Sequence, residues 1–243
     1  LKLLEAGFGG ELLFDRNRRR VVLTDFGRTV LPEIRALLQQ ASRVETIANL
    51  ARNGMRGRIE LAYVGSAAYA GILGRVLREF RSGAEDVELI LLELDMDLQI
   101  EEIVAGRLDA GFVRLPLSGV PEALVTHSIH DEDIMLAVPP GHRFAGAASV
   151  QMSKLRDEAF IFTHLGPELG FAACAYQLCA DAGFAPRIAH RARQFTAIVS
   201  FVSAGLGVAF VPASAARLSD TGVSFVPITD ATVTSRIGLA YPE

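Results

Sequence analysis

The chain has 243 residues, half of them hydrophobic and 21% charged, a balance that supports a large buried core and is not that of a disordered chain. No apolar run reaches the roughly 18–20 residues that span a bilayer, and no basic-then-apolar export signal stands at the start, so a cytoplasmic protein with no membrane partner is expected. Two cysteines, Cys174 and Cys179, are too few for a disulfide framework. The net charge of −4 is unevenly placed. Residues 1–58 carry 11 Lys/Arg against 6 Asp/Glu, and the remainder carries 13 against 22. A basic head on an acidic body points to a polyanion as partner of the head.

In the head, the apolar runs Leu12–Phe14 and Val21–Leu23 flank a polar turn and predict a β-hairpin. Arg16, Arg18, Arg19 and Arg20 lie in or beside its tip, where they can reach phosphates or a narrow minor groove; a solvated turn that protects a sheet edge is the alternative. Thr24-Asp25 then predicts a capped helix running to about Asn53-Gly54. Its apolar seam, Val30, Ile34, Leu37, Ala41, Val44, Ala48 and Ala51, advances in alternating steps of four and three. That is the heptad spacing of paired helices, so self-association is expected, with docking on the chain's own body as the alternative.

The body alternates strand and helix. Strands are predicted at Arg58–Val64, Val87–Leu94 and Asp109–Val113. The second reads as fully buried because it is almost continuously apolar. Helices are predicted over Ala67–Phe80 and, capped by Asp95-Met96-Asp97, to about Ala105. After residue 130 come strands at Ile134–Val138, Ala159–Phe162, Arg187–Ala192, Gly207–Pro212 and Thr234–Tyr241, with helices at Phe171–Ala182 and Phe195–Ala204. This is an α/β fold of two Rossmann-like halves, whose ligand belongs in the cleft between them.

The segments Glu11–Arg16 and Arg19–Gly27, followed by Gly106–Phe112 and Ala204–Pro212, resemble LysR-type transcriptional regulators. The match runs over essentially the whole chain. Gly111–Pro116 is similar to regulators of benzoate and catechol breakdown. The resemblance implies a type II periplasmic-binding-protein-like body behind a winged-helix remnant and a long dimerisation helix. Residues 1–24 would be the end of the recognition helix and the wing of a winged helix-turn-helix, and 25–57 the linker helix. Effector-binding subdomain I would comprise 58–129 with the returning 233–243, and subdomain II 130–232. Promoter DNA, a small carboxylate effector and further copies of the chain, up to a homotetramer, are the implied partners, with no cofactor.

Within that frame Ser66, where the first strand meets a helix, is an anion-binding candidate, an ordinary N-cap being the alternative. Arg114 follows the third strand and could grip a carboxylate bidentately or form a structural ion pair. Met96 stands where the family often has a hydroxyl. Leu169 and Phe171 in the loop from 165, and Phe195-Thr196 opening a helix, fall where the family places effector contacts. The two phenylalanines could flank a flat ring or simply fill the core. Ligand-like spacing in His127-x-x-His130 lacks matching donors, so no metal is expected. Gly-x-Ser-x-Gly is absent, and Gly205-x-Gly207 enters a strand rather than leaving one, so neither a hydrolase nor a dinucleotide-binding enzyme is expected. A transporter's solute-binding protein, which shares the two-lobed cleft, is the alternative function.

Overall fold

The computed structural model describes residues 1–15, 21–52, 57–119, 124–218 and 222–243. They fall into two compact units, Leu1–Arg58 and Ile59–Glu243.

In the first unit a short helix α1 (Lys2–Gly7) is followed by strands β1 (Phe14–Asp15) and β2 (Val22–Leu23), paired antiparallel with Phe14 opposite Leu23. Helix α2 (Asp25–Arg52) then runs continuously through Pro32. Thr24 holds hairpin and helix together. Its hydroxyl accepts the Gly27 N–H at 2.9 Å, satisfying an orphan donor of the first turn, and donates to the Leu12 carbonyl at 2.6 Å. Gly27 cannot be replaced cheaply, because a Cβ there would lie 2.2 Å from the Leu13 carbonyl oxygen. The buried Glu5 carboxylate accepts the Leu13 N–H at 3.1 Å. Along α2, Leu37 is 70% and Val44 65% exposed; Ala41 and Ala48 are exposed too, and Val30 and Ile34 half-buried. The hairpin-tip arginines Arg16, Arg18, Arg19 and Arg20 lie outside the described residues.

The second unit has two lobes. In the first, β3 (Gly57–Tyr63), α3 (Gly65–Tyr69), α4 (Ile72–Gly83), β4 (Val87–Glu93), α5 (Met96–Val104), β5 (Ala110–Leu115), β6 (Leu124–Glu132) and the last strand, β12 (Ser235–Pro242), build a sheet in the order β4-β3-β5-β12-β6. β3 and β5 run parallel, whereas β12 is antiparallel to both β5 and β6, so the sheet is mixed. Two expectations are corrected here. The helix after Ser66 is broken at Gly71, whose φ of 82° is a left-handed conformation that glycine adopts without strain. And β4, despite its apolar run, is an edge strand with Leu91 and Leu92 exposed.

The second lobe holds β7 (Ile134–Val138), β8 (Ala159–Thr163), α6 (Gly170–Asp181), β9 (Arg187–Ala192), α7 (Phe195–Ser203), β10 (Ala209–Pro212) and β11 (Ser224–Pro227). β7 lies between β10 and β11, and β8 pairs with β9. A parallel bridge from Phe160 to Val208 joins the two groups. Gly207 makes this approach possible, since a Cβ there would sit 2.4 Å from the Ala159 carbonyl oxygen. Phe160, Leu136, Leu155, Leu178 and Ile198 fill this core. The chain passes between lobes twice, from β6 into β7 at Asp133 and from β11 back into β12.

Candidate functional site

The ends of β5, β6 and β12, where the chain crosses between lobes, converge on one buried guanidinium. Arg114 closes β5 and is 4% exposed. Its Nη2 meets Glu132 Oε1 at 3.0 Å, its Nε donates to Ser66 Oγ at 3.0 Å, and its Nη1 donates to Ser235 Oγ. The other carboxylate oxygen of Glu132 accepts the Ser214 N–H at 2.8 Å. Glu132 therefore holds an arginine of the first lobe and a backbone amide of the second at once. Arg114 is thus a structural ion pair, and its hydrogen-bonding fork is directed inward. Burial raises the Tyr69 hydroxyl far above its ordinary range, with Arg114 offsetting only part of the rise. Tyr69 is a neutral phenol at this site.

In front of this pair lie the apolar residues. Phe171 and Phe195 meet edge to face, 4.9 Å between centroids, and the Arg114 guanidinium stands 5.8 and 5.5 Å from the two rings, within cation–π range. Both rings are buried. Met96, also buried, packs in one apolar cluster with Leu94, Leu117, Leu165 and Leu169, drawn from both lobes. Gly170, at φ 54°, permits this closeness: a Cβ would stand 2.9 Å from Met96 Cε and 3.2 Å from the Arg114 carbonyl oxygen. The Gly170 N–H donates to the Pro116 carbonyl at 2.7 Å.

Of the residues singled out in the sequence, Ser66, Met96, Arg114, Leu169, Phe171 and Phe195 thus lie around one inter-lobe region. Thr196 is exposed at the start of α7. Two sequence-based ideas change. Helix α3, in whose first turn Ser66 lies, has only five residues, so little macrodipole is available to an anion; what Ser66 offers is its hydroxyl. Asp95 precedes α5 but its carboxylate does not cap it. It crosses the cleft instead, accepting from Arg193 Nη1 at 2.5 Å and Gln194 Nε2 at 3.0 Å. Cys174 and Cys179 are buried, and burial raises both thiols, that of Cys179 to about 12. Glu132, Ser235 and Gln194 escaped sequence reading, and Asp95 was legible only as a helix cap, because their partners lie 18 to 121 residues away, beyond any local spacing.

Two α/β lobes joined by crossing strands, with a polar hinge and an aromatic pair between them, define a small-molecule-binding module. Residues 52–243 match the LysR substrate binding domain. The chain is 30% identical over 99% of its length to the transcriptional regulator AlsR of Bacillus subtilis, covering 78% of that protein. It is 33% identical over 94% of its length to TtuA of Agrobacterium vitis, covering 74%. Among solved structures, full-length CbnR complexed with its target DNA superposes with a TM-score of 0.75 at 28% identity, over 99% of this chain and 81% of that one. The effector-binding domain of BenM with benzoate gives 0.66 at 27% identity, over 78% and 85%. The chain belongs to the LysR family of transcriptional regulators, and the body is its effector-binding domain.

Proposed function

We propose that the effector is a small organic acid, aromatic or unsaturated, held between the lobes, and that its binding alters how the protein engages promoter DNA. The observation that carries this reading is the convergence of Ser66, Phe171 and Phe195 from both lobes on one buried cation. The effector carboxylate accepts a hydrogen bond from the Ser66 hydroxyl, while Arg114, donating to the Ser66 oxygen, positions that hydroxyl and lends it positive potential. Phe171 and Phe195 face the effector's ring. Met96 and Leu169 supply an apolar wall where a hydroxyl would favour a more polar ligand, and Thr196 stands at the mouth. BenM, whose domain has been seen with benzoate, supports the aromatic class.

Promoter DNA is contacted by Arg16, Arg18, Arg19 and Arg20, and dimers form through Val30, Ile34, Leu37, Ala41, Val44 and Ala48 of α2, pairing further into tetramers. Effector-binding subdomain I comprises 58–129 with 233–243, and subdomain II 130–232. No helix among the described residues is long and apolar enough to cross a membrane, and the protein acts in the cytoplasm. Family membership leaves the transporter solute-binding alternative unsupported. Calorimetric titration against benzoate-like and muconate-like acids tests the proposal. One acid of the panel should bind, and Ser66→Ala should weaken it by about tenfold, the worth of one charge-assisted hydrogen bond. Failure of every acid, or an affinity unmoved in Ser66→Ala, would refute it.

A further inference from the structure

The same cleft carries a second cluster that the effector reading does not use. Among the described residues, Asp95, Asp97 and His164 bring one ligand atom each to within 4.8 Å of one another. Asp95 and Asp97 stand at the start of α5 in the first lobe, and His164 follows β8 in the second. His164 Nε2 lies 3.9 Å from Asp97 Oδ2, too far for a hydrogen bond. Both ring nitrogens of His164 are shielded from solvent and have no hydrogen-bond partner. Leaving such atoms unsatisfied costs about 1–3 kcal/mol each. The His164 backbone is meanwhile fixed by its N–H bond to the Ala192 carbonyl at 3.0 Å.

Asp95 is already oriented as second-sphere partners orient a metal ligand. Arg193 and Gln194 hold its two oxygens, and each oxygen retains a second lone pair. The adjoining cavity, about 600 Å3, is lined by Glu93, Asp95, Asp97 and Glu101, with Arg193 the one cation. Arg193 is 63% exposed, so water screens its charge. From this geometry we infer that Asp95, Asp97 and His164 bind a divalent first-row transition-metal ion between the lobes. One imidazole with two carboxylates is a donor set suited to Zn2+ or Mn2+ rather than to a soft monovalent ion. Ligands about 2.1 Å from a tetrahedral ion stand roughly 3.4 Å apart, so the cluster must contract by about 1 Å. Asp97, 49% exposed, can supply that movement by side-chain rotation. The ion would tie α5 to the end of β8 and so favour the arrangement in which the lobes meet, whichever organic acid the protein recognises.

Equilibrium dialysis of the untagged, chelator-treated chain with ZnCl2, MnCl2 and, as a control, MgCl2 tests the site. One Zn2+ or Mn2+ should bind per chain, preferred over Mg2+. Affinity should fall about tenfold or more in Asp97→Asn and in His164→Ala, and stay unchanged in His130→Ala. Asp97→Asn keeps the test valid if His164→Ala does not fold. The site is refuted if neither ion binds, which would leave His164 and Asp97 as neighbours with no ion between them. It is equally refuted if binding survives both cluster substitutions, or is lost in His130→Ala and so belongs to His127 and His130.

Discussion

Removing Glu132 leaves the Arg114 cation, 4% exposed, with neutral partners alone: the oxygens of Ser66 and Ser235 and the rings of Phe171 and Phe195. An uncompensated buried charge costs about 3–5 kcal/mol, a large part of the roughly 5–15 kcal/mol that stabilises a domain. Glu132→Leu should therefore lose about that much stability in urea denaturation followed by far-UV circular dichroism. Arg114→Met should lose a similar amount, stranding the carboxylate on one backbone amide. The double variant carries neither charge. It orphans the Ser66 and Ser235 hydroxyls and the Ser214 N–H, about 1 kcal/mol each once side chains and water adjust, so it should cost no more than either single change. A coupling of several kcal/mol is the signature. Single losses below about 1 kcal/mol, or a double loss equal to the sum of the singles, would refute the hinge as an electrostatic unit.

Four further outcomes follow from particular contacts. A methyl group at buried Gly111 would stand 2.4 Å from Oε1 of Gln99, a side chain that is fully buried and tied to the Leu94 carbonyl and so cannot swing aside. Gly111→Ala should therefore destabilise the body by about 1–3 kcal/mol in the same denaturation assay. Thr24→Ala removes the α2 cap and the bond to Leu12, and should lower the thermal stability of the first unit by about 1 kcal/mol. The Arg107 hydrogen bond holds the Glu102 carboxyl below its usual range. Its small stabilising effect is complete above the ordinary carboxylate pKa and is lost as pH falls through the lowered one. Glu102→Gln should thus flatten the acid limb of a stability–pH profile and leave neutral pH changed by about 0.5 kcal/mol or less. Finally, because burial raises both thiols, Cys174 and Cys179 should resist iodoacetamide at pH 8 in the folded chain and react on unfolding; fast alkylation of the native protein would contradict that.

Much of the architecture was legible because periodicity and end signals are local. The Thr24 cap, the heptad helix, the strand at Ala209–Pro212 and the returning β12 all announce themselves within a few residues. The errors share one cause. Val87–Glu93 is apolar, and apolarity alone does not distinguish a central strand from an edge. The Ala-Tyr-Ala-Gly-Ile run gives no sign that Gly71 turns left-handed. Asp95 has the residue type and position of a helix cap, yet its carboxylate pairs instead with Arg193 and Gln194 in the other lobe. At the site, the individual residues Ser66, Arg114, Phe171 and Phe195 could be picked out. Their organisation around Glu132 could not, since it depends on strands from distant parts of the chain meeting at the hinge.

Hydrogen–deuterium exchange of the intact chain, with and without a saturating acid chosen by calorimetry, addresses the two-lobed sensor most directly. Binding between the lobes should slow exchange in residues 65–69 of the first lobe and in both 165–171 and 194–197 of the second, together and at the same ligand concentration. Protection confined to one lobe, or absent from both segments while the acid is bound, would contradict it.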